Sequence, residues 1–419
     1  MAQLHKKFED HQVKKLICRY LAKEIERSYI QEILGIKRRR FCQLVKEYHN
    51  DPDNFSIEYK RKDATRKISK DIEDSIMKEL TIEKKLIADP EVPLRSYNCS
   101  YIKDRLLSIY GQKVSAPTII NRAKRGGFYL KKSKKKAHDR EVLTNYVGEL
   151  IQHDSSHHKW SPYAKSKWYL ITSIDDCSRF LLYYKLIERE TSWAHIEAME
   201  EVALNYGLAY SYYVDSHSIF RFVQGRDSFW RKHYKVTDEA DPQWKQVLDD
   251  LRIKLIYALS AQAKGKIERP YGWLQDRIVR TCAREGVDNV IDGQKVVEAE
   301  AARYNYKQVH STTGEVPYYR LKRLVDEGKS LFREFTIPKP YLSTKDIFAL
   351  RDERVVNPYR RISFNKLTIN ITGVPIRERV SLRIVPDLRS EMAEIRFWYK
   401  GELVGTYEVR NEDLNLPNF

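Results

Sequence analysis

The chain has 419 residues and a mass of 49.7 kDa, with 76 Lys+Arg against 58 Asp+Glu and a formal net charge of +18. Apolar residues at 42 % and aromatics at 12 % exclude a wholly disordered chain, and the length predicts about three domains. No stretch reaches the roughly 20 apolar residues of a membrane-spanning helix and no secretory leader opens the chain, so a soluble, cytoplasmic protein with no membrane partner is expected, nucleoid-associated if bacterial.

Residues 1–140 hold 34 Lys+Arg and 19 Asp+Glu, or +15, which leaves +3 for the rest. A solubilising surface intersperses both signs, whereas a basic excess concentrated in one third of the chain faces a polyanion. Nucleic acid is the expected partner. Within this third, residues 1–56 read as three short helices. Val13, Leu16, Ile17, Tyr20 and Leu21 have helical spacing, Ser28 opens a capping-box pattern, and Gly35 marks a turn before Lys37, Arg38, Arg39 and Arg40. That is a helix-turn-helix layout whose last helix begins with four cations. A basic linker, 57–69, carries Arg61, Lys62, Arg66 and Lys67. The layout recurs over 70–130: a helix near Ile72–Leu80, a second over Ser100–Leu107, a turn at Gly111, and a third with Ser115 as N-cap, Pro117 in its first turn and Arg122, Lys124 and Arg125 at its end. A basic connector covers 131–147.

From residue 148 strands alternate with helices. Leu150–His153, Trp168–Ile174 and Phe180–Leu186 read as an antiparallel meander with a turn at Asp176–Ser178, so Asp175 and Asp176 are expected to shape that turn, with Ser178 bonding locally. A helix over Ser192–Tyr206, a strand over Ala209–Val214, a polar aromatic stretch at 218–242, a helix over Trp244–Leu251, a strand over Ile253–Tyr257 and a long helical region through Cys282 follow. Antiparallel strands followed by alternating helices and strands describe a mixed α/β sheet of the ribonuclease H kind, expected over 148–325. After Pro338 the chain becomes strand-rich, with Arg361–Ile371, Val380–Val385, Ile395–Tyr399 and Leu403–Val409, and a small β-barrel is expected over 345–419. The predicted fold class is therefore multidomain, with all-α tandem helix-turn-helix modules, an α/β core and a terminal barrel.

The chemistry-bearing residues follow from this layout. The five scattered cysteines never form CxxC, and His153, His157 and His158 lack partner cysteines, which argues against zinc and predicts loop histidines. No Gly-rich Walker loop occurs, so no nucleotide cofactor is expected. Asp154 on the first strand, Asp215 after the fourth and Glu268 in the long helical region have 60 and then 52 residues between them, so only folding can bring them together. Hard carboxylate oxygens suit Mg²⁺ with open coordination positions, as phosphodiester chemistry requires, although acidic residues at strand ends also simply cap or solvate loops.

The surrounding residues resemble the DDE-type transposases and retroviral-type integrases of bacterial insertion sequences. The resemblance lies in Gly148–Asp154, Ile174–Phe180, Tyr213-Val-Asp215, Ser260–Arg269 with its Lys-Gly-Lys-Ile-Glu-Arg string, and Tyr304–Pro317 with its Tyr-Asn…His…Pro string. It covers roughly 148–320. It implies that Asp154, Asp215 and Glu268 are a catalytic, metal-binding triad using Mg²⁺, with Mn²⁺ as a substitute, and that DNA is cleaved at transposon ends and the freed 3′-hydroxyl transferred into target DNA. It implies a homo-oligomer on paired ends. Lys264 and Arg269, beside Glu268, would contact phosphates. Ser216-His217 stand where such enzymes often carry Asn-Gly, and the second spacing is long, read as an insertion near 218–242. Pro270 requires either a helix kinked after Glu268 or one that starts there. The alternatives are a site-specific DNA-binding regulator with an inactive core, and a metal-dependent nuclease without joining activity.

Overall fold

The computed structural model of the chain describes residues 4–58, 68–130, 144–214, 243–257, 265–364 and 367–414, the side chains of 265–270 apart. It divides into two compact units, Met1–Asp74 and Ser75–Phe419. In the first unit α1 (Asp10–Leu21), α2 (Arg27–Leu34) and α3 (Arg38–Asn50) close around Val13, Ile17, Ile30, Leu34, Phe41 and Leu44. Tyr20 meets Phe41 edge-on at 4.9 Å, and the Asp10 carboxylate accepts the Ile57 amide at 2.8 Å. The Ser28 capping box does not form. The extended backbone is at Glu26, so α2 begins one residue before Ser28, which lies inside its first turn. Gly35 terminates α2 at φ 60°, a left-handed conformation that costs glycine nothing.

The second unit opens with α4 (Lys70–Ala88, which begins at the end of the first unit), α5 (Cys99–Tyr110) and α6 (Ala116–Arg125). The Ser115 hydroxyl accepts the Thr118 amide at 3.3 Å, with Pro117 in the first turn, as the sequence predicts. The meander then forms β1 (Ile151–His158), β2 (Trp168–Asp175) and β3 (Leu181–Ile187), followed by α7 (Ser192–Tyr206), β4 (Ser211–Val214), α8 (Gln243–Asp250) and β5 (Lys254–Tyr257). Strand order is β3-β2-β1-β4-β5: β1, β2 and β3 are antiparallel, while β4 runs parallel to β1 and β5 parallel to β4. This is the mixed α/β sheet expected from the sequence. Helices α9 (Gly265–Glu285) and α10 (Val290–Tyr306) cover one face, sharing a core with Trp168, Leu170, Ile174 and Leu186. Helices α7 and α8 cover the other, with Trp193, Met199, Val202, Trp244 and Leu248 buried there. Pro270 lies within α9, beyond its first turn, so the helix does not start at Glu268.

Gly207 ends α7 at φ 99°, and a Cβ there would lie 2.5 Å from the Arg333 carbonyl oxygen. Leu208 and Arg333 exchange backbone hydrogen bonds of 2.7 and 2.9 Å, so the neighbouring chain cannot retreat. Gly207→Ala is expected to destabilise the second unit by about 1–3 kcal/mol in urea unfolding.

After α11 (Pro317–Asp326) the chain forms β6 (Leu350–Val355), β7 (Arg361–Phe364), β8 (Leu367–Asn370), β9 (Arg379–Asp387), β10 (Met392–Tyr399), β11 (Glu402–Arg410) and a short α12 (Asn411–Leu414). The expected barrel is corrected: among the described residues these strands form a four-stranded sheet, β11-β10-β9-β6, and a separate hairpin, β7-β8. The single strand expected over Arg361–Ile371 folds back on itself, pairing Ile362 with Ile369. Both side chains then enter the same core as Leu382 and Ile384, so the hairpin covers the sheet instead of extending its ladder to closure. No helix of the described residues is long and apolar enough to cross a membrane.

Candidate active site on the central strand

Strand β1 is the middle of five, hydrogen-bonded to β2 on one side and β4 on the other. Because side chains alternate along a strand, β1 and β2 send two sets of residues to two faces. Gln152, Asp154 and Ser156, opposite Ile174, Thr172 and Leu170, belong to the face covered by α9. His153, opposite Ser173, belongs to the face covered by α7 and α8.

Helix α9 is fastened beside Asp154 by two side chains. The Tyr271 hydroxyl, buried, donates to the Asp154 carbonyl oxygen at 2.7 Å and accepts from the Thr172 hydroxyl at 2.8 Å. One turn on, the Gln275 amide donates to the Ser156 hydroxyl at 3.0 Å. Glu268 precedes Tyr271 by three residues and Gln275 by seven, the spacing of one helix face. Asp154 itself is half-buried.

Behind Asp154 on the other face runs a chain of polar groups. His153 Nδ1 is 2.8 Å from the Ser173 hydroxyl and its Nε2 is 2.8 Å from His195 Nδ1, while His195 Nε2 is 3.1 Å from the Glu190 carboxylate, which also receives the Ser155 hydroxyl. The His153 ring stacks on Trp244 at 5.4 Å, and the Trp244 indole donates to the His195 carbonyl at 3.2 Å. The expectation of loop histidines is therefore corrected: His153, His157 and His158 all lie in β1, held extended by pairing with β2, and for buried His153 the network spares the ring nitrogens the cost of burial without partners. His157 stacks on Tyr169 at 4.2 Å, and burial, with Lys167 and His157 adding repulsion, pushes the His158 imidazole down.

At the other end of β1 lies the Asp175–Arg179 turn. Asp175 accepts the Gly148 amide at 2.8 Å and the Ser178 amide and hydroxyl at 2.7 and 2.5 Å, the local bonding expected of Ser178. Asp176 accepts Arg179 at 2.8 Å, the Thr144 hydroxyl at 2.8 Å and the Gln152 amide at 2.5 Å, tying the turn to β1. Burial pushes the Asp175 carboxyl up to about 6, against the opposing pull of those donors. An unfolded aspartate titrates near pH 4, so the native state holds the extra proton between about pH 4 and 6. Stability should then fall as pH rises through that window, and Asp175→Asn should flatten the fall in denaturant melts at stepped pH.

The remaining sequence-selected residues are placed as follows. Lys37 is the exposed N-cap of α3, Arg38 and Arg39 are exposed in its first turn, and half-buried Arg40 lies 3.5 Å from Glu47. Arg122, Lys124 and Arg125 are in the last turn of α6, with Lys124 5.0 Å from the Tyr129 ring centroid. Asp215, Arg61, Lys62, Arg66, Lys67, Lys264 and the 218–242 stretch lie outside the described residues, as do the side chains of Glu268 and Arg269. Asp215 follows the last residue of β4 directly in the sequence. Among the described residues no group of three or more His, Cys, Asp or Glu side chains is arranged to hold a metal ion. Asp154 is the one member of the expected triad whose side chain is described, and its half-buried carboxylate fits the hard-oxygen donor set that Mg²⁺ takes.

Asp154 thus lies on the middle strand of a mixed sheet, on the face covered by the helix that carries Glu268 in its sequence. In sequence the chain is similar to two proteins named as transposases. It is 29 % identical over 203 residues to a Sinorhizobium fredii protein named "Putative transposase y4bF", covering 48 % of this chain and 43 % of that one. It is 28 % identical over 144 residues to the transposase for insertion sequence IS1202 of Streptococcus pneumoniae, covering 34 % and 29 %. The matches thus span less than half the length of these relatives. No protein-family model matches the chain. Among solved structures it is similar to the HTLV-2 integrase catalytic core in complex with magnesium, at 17 % identity and TM-score 0.31, covering 43 % of this chain and 98 % of that one. It is also similar to the simian T-cell lymphotropic virus intasome bound to a PP2A regulatory subunit, at 13 % identity and TM-score 0.34, covering 73 % and 93 %.

Proposed function

We propose that this chain is a DNA transposase that cleaves at the ends of its element and transfers the freed 3′-hydroxyl into target DNA. The observation that carries it is the position of Asp154 on the central strand, facing the helix that bears Glu268 and beside the strand that Asp215 follows in sequence. Kinship with two named transposases supports the same reading.

Asp154, Asp215 and Glu268 would hold Mg²⁺, or Mn²⁺ in its place. Bound metal supplies activation of the attacking oxygen and stabilisation of the leaving one. The protein's own part is to keep Asp154 fixed, through Tyr271 and the β1–β2 ladder, and to hold DNA. Lys37, Arg38, Arg39 and Arg40 crowd four cations into the start of α3, where the helix dipole disfavours them, an arrangement that an incoming phosphate relieves. Arg61, Lys62, Arg66 and Lys67 continue that basic run in sequence, and Arg122, Lys124 and Arg125 add a second grip at α6. Lys264 and Arg269 would hold phosphates beside Glu268. Two ends must be joined, so the working form is a homo-oligomer on paired ends.

The test is a cleavage and strand-transfer assay with Mg²⁺ or Mn²⁺ on a duplex taken from the DNA flanking the gene, run with the native chain and Asp154→Asn. Joined product that disappears in the variant supports the transposase. Site-specific binding without cleavage supports a regulator with an idle core, and cutting without joining supports a nuclease.

A further inference from the structure

Helix α9 is gripped on two opposite faces. Tyr271, Leu274, Gln275, Ile278 and Cys282 meet the sheet side. The opposite face, expected to be solvated on a helix that lies on a sheet, carries Arg277, Arg280 and Arg284 instead. These arginines are almost fully buried against α4 and α5.

The contacts form one network. Arg280 donates to Glu83 of α4, to the Ser96 carbonyl and to Asp276 at 2.8 and 3.0 Å. Arg284 donates to Glu79 at 2.5 Å and to Glu83 at 2.7 Å. Arg277 bridges Glu300 of α10 at 2.6 Å and Asp104 of α5 at 2.9 Å. The Tyr101 ring lies between two guanidiniums, 5.1 Å from Arg277 and 5.4 Å from Arg284, and its hydroxyl is 2.9 Å from that of Thr281. Val92 and Leu94 add an apolar contact with Val279 and Ala283. Beyond α6, Phe128 packs edge-on against Tyr97 at 6.2 Å, with the Lys84 ammonium 5.8 Å from its ring centroid.

A module that swings on a linker has a loose, polar interface with its neighbour. Here guanidinium forks are desolvated against fixed carboxylates, and a buried ion network tolerates few other arrangements, because any slip leaves a charge unpaired away from water. Burial works against the Arg280 guanidinium, yet Asp276 and Glu83 overcome it and hold it above its ordinary range.

We propose that Arg277, Arg280 and Arg284 are positioning residues that make α4–α6 and the Glu268 helix one rigid block, so that DNA held at α6 reaches Asp154 at a single offset and that offset selects the phosphate that is cut. The cut-site part of this rests on the transposase reading above; the rigid block stands on its own.

The experiment uses the full chain with Glu83→Gln or Asp104→Asn, changes on α4 and α5 that leave α9 untouched. Amide hydrogen exchange followed by mass spectrometry reads the block, and an end-labelled duplex from the DNA flanking the gene reads affinity and the position of cutting in Mn²⁺. In the native chain α4–α6 and α9 should exchange as one cooperative unit; in each variant α4–α6 should exchange ahead of α9. Affinity should stay within about twofold, because the phosphate contacts are unchanged. Cutting at the main position should fall about 10²-fold and spread to adjacent phosphates, the penalty of a small misplacement. Native α4–α6 exchanging independently of α9 overturns the proposal, and so do variants with a loosened α4–α6 that cut the same phosphate at the native rate. If the native chain cuts no DNA, the transposase reading fails while the exchange result still decides the block.

Discussion

Asp154→Asn should abolish joined product, lowering the rate at least about 10³-fold, or ~4 kcal/mol of transition-state stabilisation, while the protein stays folded. The change removes a negative charge and keeps the shape. What fixes β1 at this point is the Tyr271 hydroxyl on the Asp154 carbonyl and the pairing with Thr172, neither of which involves the Asp154 carboxylate. The substitution therefore leaves both of these bonds in place. Its binding of end DNA should equal or exceed the native value, since a charge that repels phosphate is gone. If the variant joins DNA at the native rate, Asp154 has no part in the reaction and the triad is misassigned.

The face Asp154 occupies was legible in the sequence only as far as periodicity reaches. Trp168–Ile174 and Phe180–Leu186 announced their strands because they bury residues on both sides, and Ser192–Tyr206 its helix because Thr191 caps it and apolar positions recur at helical spacing. Strand β1 was harder to follow. It runs on through Ser155-Ser-His-His158, a polar string that stays extended through eight paired positions with β2 and not through its own propensity. That pairing is also why His153 belongs to the core: its partners Ser173, His195 and Trp244 come from three other elements, and no local signal joins them. The single strand expected over Arg361–Ile371 overlooks a slip in the alternation, whose inward positions pass from Ile362 and Phe364 in one arm to Leu367 and Ile369 in the other, with Asn365 and Lys366 between them in sequence. The barrel expectation fell with it. The α9 arginines did leave a trace. Arg277, Arg280 and Arg284 recur every three or four residues on the helix side opposite its apolar stripe, and Glu79 and Glu83 recur at four on α4. Matched charge stripes on two helices can meet or can each face water, and sequence alone does not choose.

Arg280→Met tests what that network is for. Arg280 and Glu83 are both fully buried, so removing the cation takes one of two guanidinium partners from Glu83 and the ion-pair partner from Asp276. Such truncations cost about 3–5 kcal/mol, a large share of the roughly 5–15 kcal/mol that holds a native protein together. The lower end applies here, since Glu83 keeps Arg284 at 2.7 Å. The double variant Arg280→Met with Glu83→Leu removes both charges and refills the volume, while Arg284 keeps Glu79 at 2.5 Å, and should recover to within about 1–2 kcal/mol of the native chain. Urea unfolding of the two single variants and the double one measures the coupling directly. Equal destabilisation of single and double variants would mean that packing, not charge, holds α4 against α9. Recovery in the double variant would mean that apolar residues serve stability about as well as the ion pair does. The charges would then have to be explained by geometry: a guanidinium fork admits one registry between α4 and α9, whereas a Met–Leu contact lets the helices slide. A double variant that is stable yet cuts at scattered phosphates would separate the two roles in one protein.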